Sequence, residues 1–582
     1  MENWNEPRTD EAQKPTRFIA IPEPLQKHDA VTRIAIPPQV VWVIESLSQA
    51  GFLGFLVGGC VRDACLGKAP ADWDLTTNAT PEQVIRRFCD GESGRAGESL
   101  GTLGRAASCA AQRPRARAQN PSSPAAGVLG ASPWGRLRVI PTGLQHGTVT
   151  LAFEGGAAAP LAAQGEPLPT ALASQKEPRP APHVSRGEPR PAPHASREEP
   201  RPAPHAAQGE PPFLVEVTTF RTEGAYSDHR HPDQVTFSHS LEADLARRDF
   251  TVNAMAWNLA GDCLVDPYGG VQDLLHRRIR CVGEPAKRFR EDGLRILRAL
   301  RFASALAFSL EERTAAALFA EKEILRTIAP ERIRVELEKL LLGAGVEVVL
   351  KNYWPVMAAV LPELEPLVGL ESLEGLRNLA MPEPLAIHAL CETPANPVLR
   401  WTVLLYGLEK AHEATHAALE NGLHSGGVSQ REAFCCQIME RLRFSGAMRD
   451  QICRLVRYMA TELPTDTRGA RRWLNRLGKE ELGLLLACKA ADCRARGQEG
   501  AVGLARLDKT VACMDKVLRE GLCYRLPDLV VDGNDLLELG MSGRAVGRCL
   551  DALLEDVMED RLPNERDALL AAARAKLEGA GV

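Results

Sequence analysis

No stretch of the 582 residues approaches 18 consecutive apolar positions, so the sequence offers no membrane span. A surplus of one charge is missing too. The 70 Lys and Arg stand against 75 Asp and Glu, a net charge of −5, which excludes a globally basic coat for nucleic acid. Any nucleic-acid surface must then be a local patch. The opening run MENWNEPRTDEAQKPTR lacks the apolar core of a secretory signal. The 15 cysteines form no Cys-x-x-Cys pair, only the adjacent Cys435 and Cys436. That argues against a disulfide framework and for a reducing cytoplasm. What is present, 45% apolar and 25% charged residues over this length, predicts three or four folded units.

Composition divides the chain. Residues 91–212 hold 19 of the 41 prolines and repeat EPRPAPH from Glu177, Glu188 and Glu199. The repeat has no apolar face to stack, so it reads as a linker rather than a solenoid. His183, His194 and His205 fall one per repeat, too dispersed to favour a metal site. Within this region residues 138–156 look folded, with a Pro-Thr-Gly turn and an alternating strand from His146 to Phe153. PFLVEVTTFRT (212–222) is a second strand, expected to pair with the first as a hairpin. Two low-complexity insertions are therefore expected, about 91–137 and about 157–211, which loop-closure entropy tolerates. Beyond Val271 the apolar spacing is helical over 285–309, 312–326, 331–343, 431–461, 469–496 and 543–560. The fold class is an α/β head, a small mixed sheet with helices, followed by an all-helical remainder.

Phe55-Leu56-Val57 reads as a buried strand entering Gly58-Gly59, where backbone N–H groups can approach a phosphate, with Arg62 one turn into the following helix. Asp72 and Asp74 are two apart on the next strand and so share a face. Carboxylates that close call for a cation, and Mg²⁺, which accepts oxygen ligands and keeps substrate phosphates in its shell, suits them.

Gly58-Gly59-x-x-Arg62 with Asp72-Trp73-Asp74 resembles the signature of the nucleotidyltransferase superfamily, and within it the class II tRNA nucleotidyltransferases (CCA-adding enzymes) and bacterial poly(A) polymerases. The resemblance covers roughly 38–90, 138–156 and 212–582. It implies an Mg²⁺-dependent transferase that adds CCA to tRNA from CTP and ATP, with Asp72 and Asp74 as catalytic metal ligands. It also implies a flexible extension over 1–37, a head over 38–275, a neck over 276–345, a body over 346–520 and a tRNA-binding tail over 521–582. SLEADLARRDFTVNAMAWN (240–258) matches the family's ribose and triphosphate motif through Arg247, Arg248 and Asp249. Gly269-Gly270 matches a connector between head and helices.

Residues 276–301 carry nine Lys and Arg against three acidic residues. Asp292 and Arg295, with Arg298 and Arg301, fall at helical steps on one face. The resemblance makes Asp292 and Arg295 a protein template for the incoming base. Cytosine and adenine offer an amino donor beside a ring-nitrogen acceptor, which an Asp/Arg pair matches; uracil and guanine invert both groups. Arg298 and Arg301 would steady triphosphate or primer. The loop 220–237 matches the family's flexible loop, and its Asp228-His229-Arg230-His231 run lacks the further ligands of a zinc site.

Some relatives carry a His-Asp phosphohydrolase motif where this chain has Leu404-Leu405-Tyr406-Gly407-Leu408-Glu409, so no such activity is expected, and His388, His412 and His416 do not restore it. The tail, with seven Lys and Arg against twelve acidic residues over 525–582, would contact tRNA through Arg544, Arg548 and the Gly540–Gly543 turn. Expected partners are tRNA, CTP and ATP, with no membrane and a monomer or weak homodimer. An A-adding or CC-adding specialist, a poly(A) polymerase and a catalytically silent RNA-binding protein are the alternatives.

Overall fold

The computed structural model describes residues 17–26, 33–89, 128–154, 211–224, 226, 232, 234–364, 384–419 and 428–579. They divide into two compact units, one holding 1–221, 237–241 and 256–265 and the other 222–236, 242–255 and 266–582.

In the first unit every residue of β3 (Gly54–Val57) is buried, as an unbroken apolar run requires. It lies within an eight-stranded sheet ordered β12 (Cys263–Val265), β11 (Ala256–Asn258), β3, β4 (Trp73–Thr77), β8 (Phe213–Thr219), β7 (Thr148–Glu154), β6 (Gly135–Gly143) and β5 (Val128–Ser132). Only the β4–β8 pair is parallel. The expected hairpin is present: β7 runs antiparallel to β8 from Thr148↔Thr218 to Phe153↔Phe213. Helices α1 (Pro38–Gln49) and α3 (Pro81–Cys89) pack on the sheet. Their aromatics close the core, with the Trp42 ring 5.4 Å from Phe88 and 6.1 Å from Phe153. Between β3 and β4 runs the short α2 (Gly59–Cys65).

Two boundaries differ from expectation. Strand pairing starts at Val128, inside the stretch expected to be an insertion up to 137. Gly130 makes this possible, because a Cβ there would strike the Phe88 carbonyl. The expected flexible extension holds a strand pair, β1 (Phe18–Ala20) with β2 (Arg33–Ala35). Its Ile19, Ile21 and Ile36 are buried, an alternation visible in FIAIP and RIAIP. Residues 157–210 of the second insertion and Asp228–His231 lie outside the described residues.

The second unit is mainly helical. It begins with α4 (Leu241–Ala246), α5 (Gly270–Leu275), α6 (Pro285–Glu291), α7 (Leu294–Leu306), α8 (Glu312–Ala320), α9 (Pro330–Leu341) and α10 (Val346–Val360). It continues with α11 (Pro384–Cys391), α12 (Pro397–Leu419), α13 (Val428–Arg441), α14 (Gly446–Met459), α15 (Thr467–Ala495), α16 (Ala501–Arg519), α17 (Gly533–Glu538), α18 (Arg544–Met558) and α19 (Arg566–Gly579). The short strands β9 (Arg221–Glu223) and β10 (Val235–Phe237) pair, as do β13 (Arg278–Ile279) and β14 (Ser309–Leu310).

The single helix expected over 285–309 is two. Asp292 is extended (φ −134°, ψ 105°) between α6 and α7. At Gly293 a Cβ would meet the Ile324 side chain at 2.5 Å, so the chain turns where only glycine fits. In the region that lacks the His-Asp pair, Gly407 has a packing reason of its own: a Cβ there would collide with Ala386, so it sets the approach of α12 to α11. Tyr406 and Glu409 beside it are buried, and Glu409 pairs with Arg431 at 3.1 Å.

Candidate active site

The β3–β4 register pairs Gly54 with Thr77 and Leu56 with Leu75. Carried one pleat further, it sets the Gly58-Gly59 turn beside the stretch Asp72–Asp74. The Cys60 thiol ties the two, lying 3.2 Å from the Val57 carbonyl and 3.8 Å from that of Asp74. Gly58 has φ +75°, ψ −129°, a conformation that a side chain resists. The Arg62 guanidinium folds back over the turn, 3.7 Å from where a Gly59 Cβ would be, and pairs with Asp63 at 2.8 Å.

Asp72 is exposed just ahead of β4, Asp74 is half-buried on it, and Trp73 between them is buried. Alternation puts the two carboxylates opposite Trp73. Glu216, exposed on β8, stands directly across from Asp74 in the parallel register. Sequence reasoning missed it, although a lone acid in the alternating FLVEVTT marks the polar face of a strand. These donors are all carboxylate oxygens, which fits a hard divalent cation. Among the described residues no three ligand side chains converge on one point. Mg²⁺ needs no such cage, since one or two carboxylates with substrate phosphates and water complete its shell.

The second unit assembles the remaining candidates around buried acids. Asp244 is fully buried and accepts from Arg247 Nε and Nη2 at 2.9 and 2.8 Å and from Arg248 Nη2 at 3.3 Å. Burial pushes its carboxyl up, but the two guanidinium charges outweigh that and hold it below its ordinary value. Arg247 also reaches Glu223 at 3.0 Å, and the Tyr226 hydroxyl bonds the same carboxylate. Together with Thr222, Arg288 and Glu291 they line a cavity of about 170 Å³. Arg295 closes it from behind, donating to Glu291 at 2.6 Å and to the carbonyls of Arg288 and Arg247 at 3.2 Å each. Arg247 and Arg295 are thus brought together, and Arg248 joins them through Asp244.

Other candidates are occupied by internal partners. Asp249 is buried and accepts from Arg298, the Phe250 amide and Asn253, which leaves little of its carboxylate for a ribose. Arg298 is engaged there, and Arg301 pairs with Glu336 at 2.9 Å over the Phe302 ring. Both are held by the protein rather than presented to triphosphate or primer. Asp292 does not share a helical stripe with Arg295. Its carboxylate accepts from the Leu294 amide at 3.1 Å, ahead of α7, and from Arg332 on α9 at 3.2 Å. Arg332 and Glu336, in ERIRVE, gave no signal as site residues because their partners lie about 35 to 40 positions upstream.

Part of the tail's acidic balance is spent in ion pairs. Asp556 pairs with Arg561 and Lys576, Asp535 with Arg566, and Asp560 with Arg468 and Arg471. Arg544 and Arg548 are exposed. A second cluster, not anticipated, interleaves guanidinium groups with rings; Arg457 is paired there with Glu432 at 3.5 Å and Arg525 with Asp528 at 2.9 Å. Arg476 lies 5.3 Å from the Trp473 ring and 6.0 Å from Tyr458, Arg457 lies 5.9 Å from Tyr458, and Arg525 lies 5.0 Å from Tyr524. Asn475 binds the Tyr524 carbonyl at 2.8 Å, joining the two parts.

The poly(A) polymerase head-domain profile matches residues 54–112 and 196–280, and the profile for the RNA- and SrmB-binding site of polymerase A matches 307–367. The tRNA nucleotidyltransferase domain 2 profile matches 428–573. The chain belongs to the class II tRNA nucleotidyltransferase and poly(A) polymerase family. Among relatives, the CCA-adding enzyme of Lactobacillus delbrueckii subsp. bulgaricus is 32% identical over 315 residues, 54% of this chain and 53% of that one. The chain thus spans about half the length of such relatives. The CCA-adding enzyme of Lactiplantibacillus plantarum is 27% identical over 91% of this chain and 94% of its own. In fold, the chain is similar to the Bacillus stearothermophilus CCA-adding enzyme in complex with CTP, with a TM-score of 0.54 at 23% identity, covering 93% and 97%. Among the described residues no helix is long and apolar enough to cross a membrane.

Proposed function

We propose that this chain is a cytoplasmic CCA-adding enzyme that extends the 3′ end of tRNA with C, C and A from CTP and ATP. The observation that carries this is the β3–β4 register, which sets the Gly58-Gly59 turn beside Asp72 and Asp74. In the reaction the terminal ribose hydroxyl of tRNA attacks the α-phosphorus of the nucleotide. A new P–O bond forms, the bond to the β-phosphate oxygen breaks and pyrophosphate leaves. Asp72 and Asp74, with Glu216 as a neighbour, would hold Mg²⁺, which supplies charge neutralisation at the attacking and leaving oxygens. The backbone of the Gly58-Gly59 turn and Arg62 bind phosphate.

In the second unit, Arg247 and Arg248 serve the nucleotide from a frame fixed by Asp244. Asp292 accepts from the amino group of cytosine or adenine, and Arg295 donates to the ring nitrogen. Asp249, Arg298 and Arg301 hold that frame in shape. Transfer-RNA is bound by Arg544, Arg548 and the ring-backed Arg476.

The test is end-sequencing of tRNA lacking CCA after incubation with the protein, Mg²⁺ and CTP, ATP or both. Growth to CCA followed by a stop supports the proposal. A long A tail from ATP alone would mean a poly(A) polymerase, and A added only to a CC end would mean the A-adding specialist. Growth that stops at CC with both nucleotides present would mean the CC-adding specialist. Bound but unextended tRNA would leave an RNA-binding protein.

A further inference from the structure

Helices α13 and α14 form an antiparallel hairpin joined by residues 442–445, and two of its thiols meet. Cys436 on α13 is half-buried, Cys453 on α14 is buried, and their sulfurs stand 2.7 Å apart. That is well inside ordinary non-bonded packing, where even carbon atoms keep about 3.5–4.0 Å. Nothing in the proposed transferase chemistry uses either group. Cys435, the other half of the adjacent pair, is fully buried. Burial pushes the Cys453 thiol up, and the hydrogen bond with Cys436 adds to this. Cys436 is thus the more accessible partner and the one able to meet an oxidant first.

We propose that Cys436 and Cys453 are a reversible oxidation site, a disulfide-forming pair with hydrogen peroxide as its oxidant. The Cys436 sulfur, as thiolate, attacks one peroxide oxygen. The O–O bond breaks, and the departing hydroxide takes up the thiol proton as water, leaving a sulfenic acid. The Cys453 sulfur then displaces the sulfenic hydroxyl, which leaves with the Cys453 proton as a second water. Two thiols and one peroxide give one disulfide and two waters, with two electrons passing from sulfur to oxygen. The helices hold both sulfurs already, so the second step outpaces further oxidation of Cys436. The bond closes the loop from α13 through 442–445 to α14, and restricting that loop in the unfolded chain stabilises the hairpin. Arg441, at the end of α13, binds the Val360 carbonyl at 2.9 Å and Glu363 at 2.6 Å, so the tethered hairpin is also anchored to the end of α10.

The experiment uses the full chain, reduced, desalted and titrated with hydrogen peroxide under native conditions, then alkylated and digested without reductant. The expected product is a peptide pair joining Cys436 to Cys453, two hydrogens lighter than the sum of its parts and separated by a thiol reductant. The thermal midpoint of the oxidised protein should rise by a few degrees, and Cys436→Ser should abolish both cross-link and rise. Because Cys436 is half-buried, this variant disturbs packing less than one at Cys453. If it does not fold, mapping of the wild-type protein decides alone. Persistent alkylation of both thiols, over-oxidation of Cys436 without a cross-link, or pairing of Cys436 with Cys435 would each overturn the proposal.

Discussion

Asp249 and Arg298, 49 residues apart, form a closed pair in which one carboxylate oxygen accepts from Nε at 2.8 Å and Nη2 at 2.5 Å. Burial by itself would push the Asp249 carboxyl up. The Arg298 charge and hydrogen bonds, with Asn253, outweigh it and lower the pKa from 3.8 to about 2. The folded value lies below the unfolded one, so the stabilisation is whole above pH 4 and is lost as pH falls toward 2, by about 2 kcal/mol. Asp249→Asn should cost about 2 kcal/mol at pH 7, because it leaves the half-buried Arg298 guanidinium with only Glu336, 4.0 Å away, as counter-charge. Urea unfolding of both proteins at pH 7, 4 and 3 should show the gap constant down to pH 4 and narrowing below. A gap that does not change with pH would place the cost in packing instead.

Asp72→Asn and Asp74→Asn should each lower CTP incorporation into tRNA at least about a hundredfold, as losing an aimed charge in an active site does. Asp72 is exposed and outside β4, so its melting temperature should stay within a degree or so of the parent. Glu216→Gln should give a milder loss of about tenfold, as expected for an outer partner of a metal ligand. Equal losses at all three positions would make Glu216 a ligand in its own right, and no loss at Asp74 would refute the assignment of the site.

What the sequence made legible was local. The Gly58-Gly59 turn and the Asp72–Asp74 spacing follow from turn residues and period-two alternation within a dozen positions, and each strand of the β7–β8 pair from its own alternation. What it hid was pairing at a distance. Arg332 with Asp292 and Arg298 with Asp249 need a fold to bring them together, and helical spacing misled at Asp292 because Gly293 interrupts the helix. Composition likewise misled at the edges. A proline- and glycine-rich approach concealed β5, and a charged, proline-dotted start concealed Ile19, Ile21 and Ile36.

The Arg332–Asp292 pair gives a specificity prediction. Arg332 holds Asp292 at 3.2 Å and so limits the directions in which its carboxylate faces a base. Arg332→Ala should leave ATP and CTP usable at reduced kcat while raising misincorporation of UMP and GMP roughly tenfold to a hundredfold, the equivalent of 1–3 kcal/mol of lost discrimination. Single-nucleotide incorporation with each of the four triphosphates measures it. A uniform fall for all four would show that Arg332 supports the fold of the pocket but not its choice of base.

The ring-backed arginines make the last prediction. An aromatic face holds a guanidinium flat and leaves its N–H edge outward, which suits phosphate oxygens, and rings of this kind also stack bases. Arg476 rests on Trp473 and Tyr458, and among the described residues no carboxylate pairs with it. Arg472, four residues earlier, is instead neutralised by Glu559 at 2.6 Å. Arg476→Ala should therefore raise KM for tRNA about threefold to tenfold, leave kcat and KM for CTP unchanged, and reduce the slope of log Kd against log salt by about one. Arg472→Ala, which removes an already paired charge, should move that slope far less. If the two variants behave alike, or if Arg476→Ala alters kcat without touching the salt slope, the belt supports the packing of α15 and tRNA binds elsewhere.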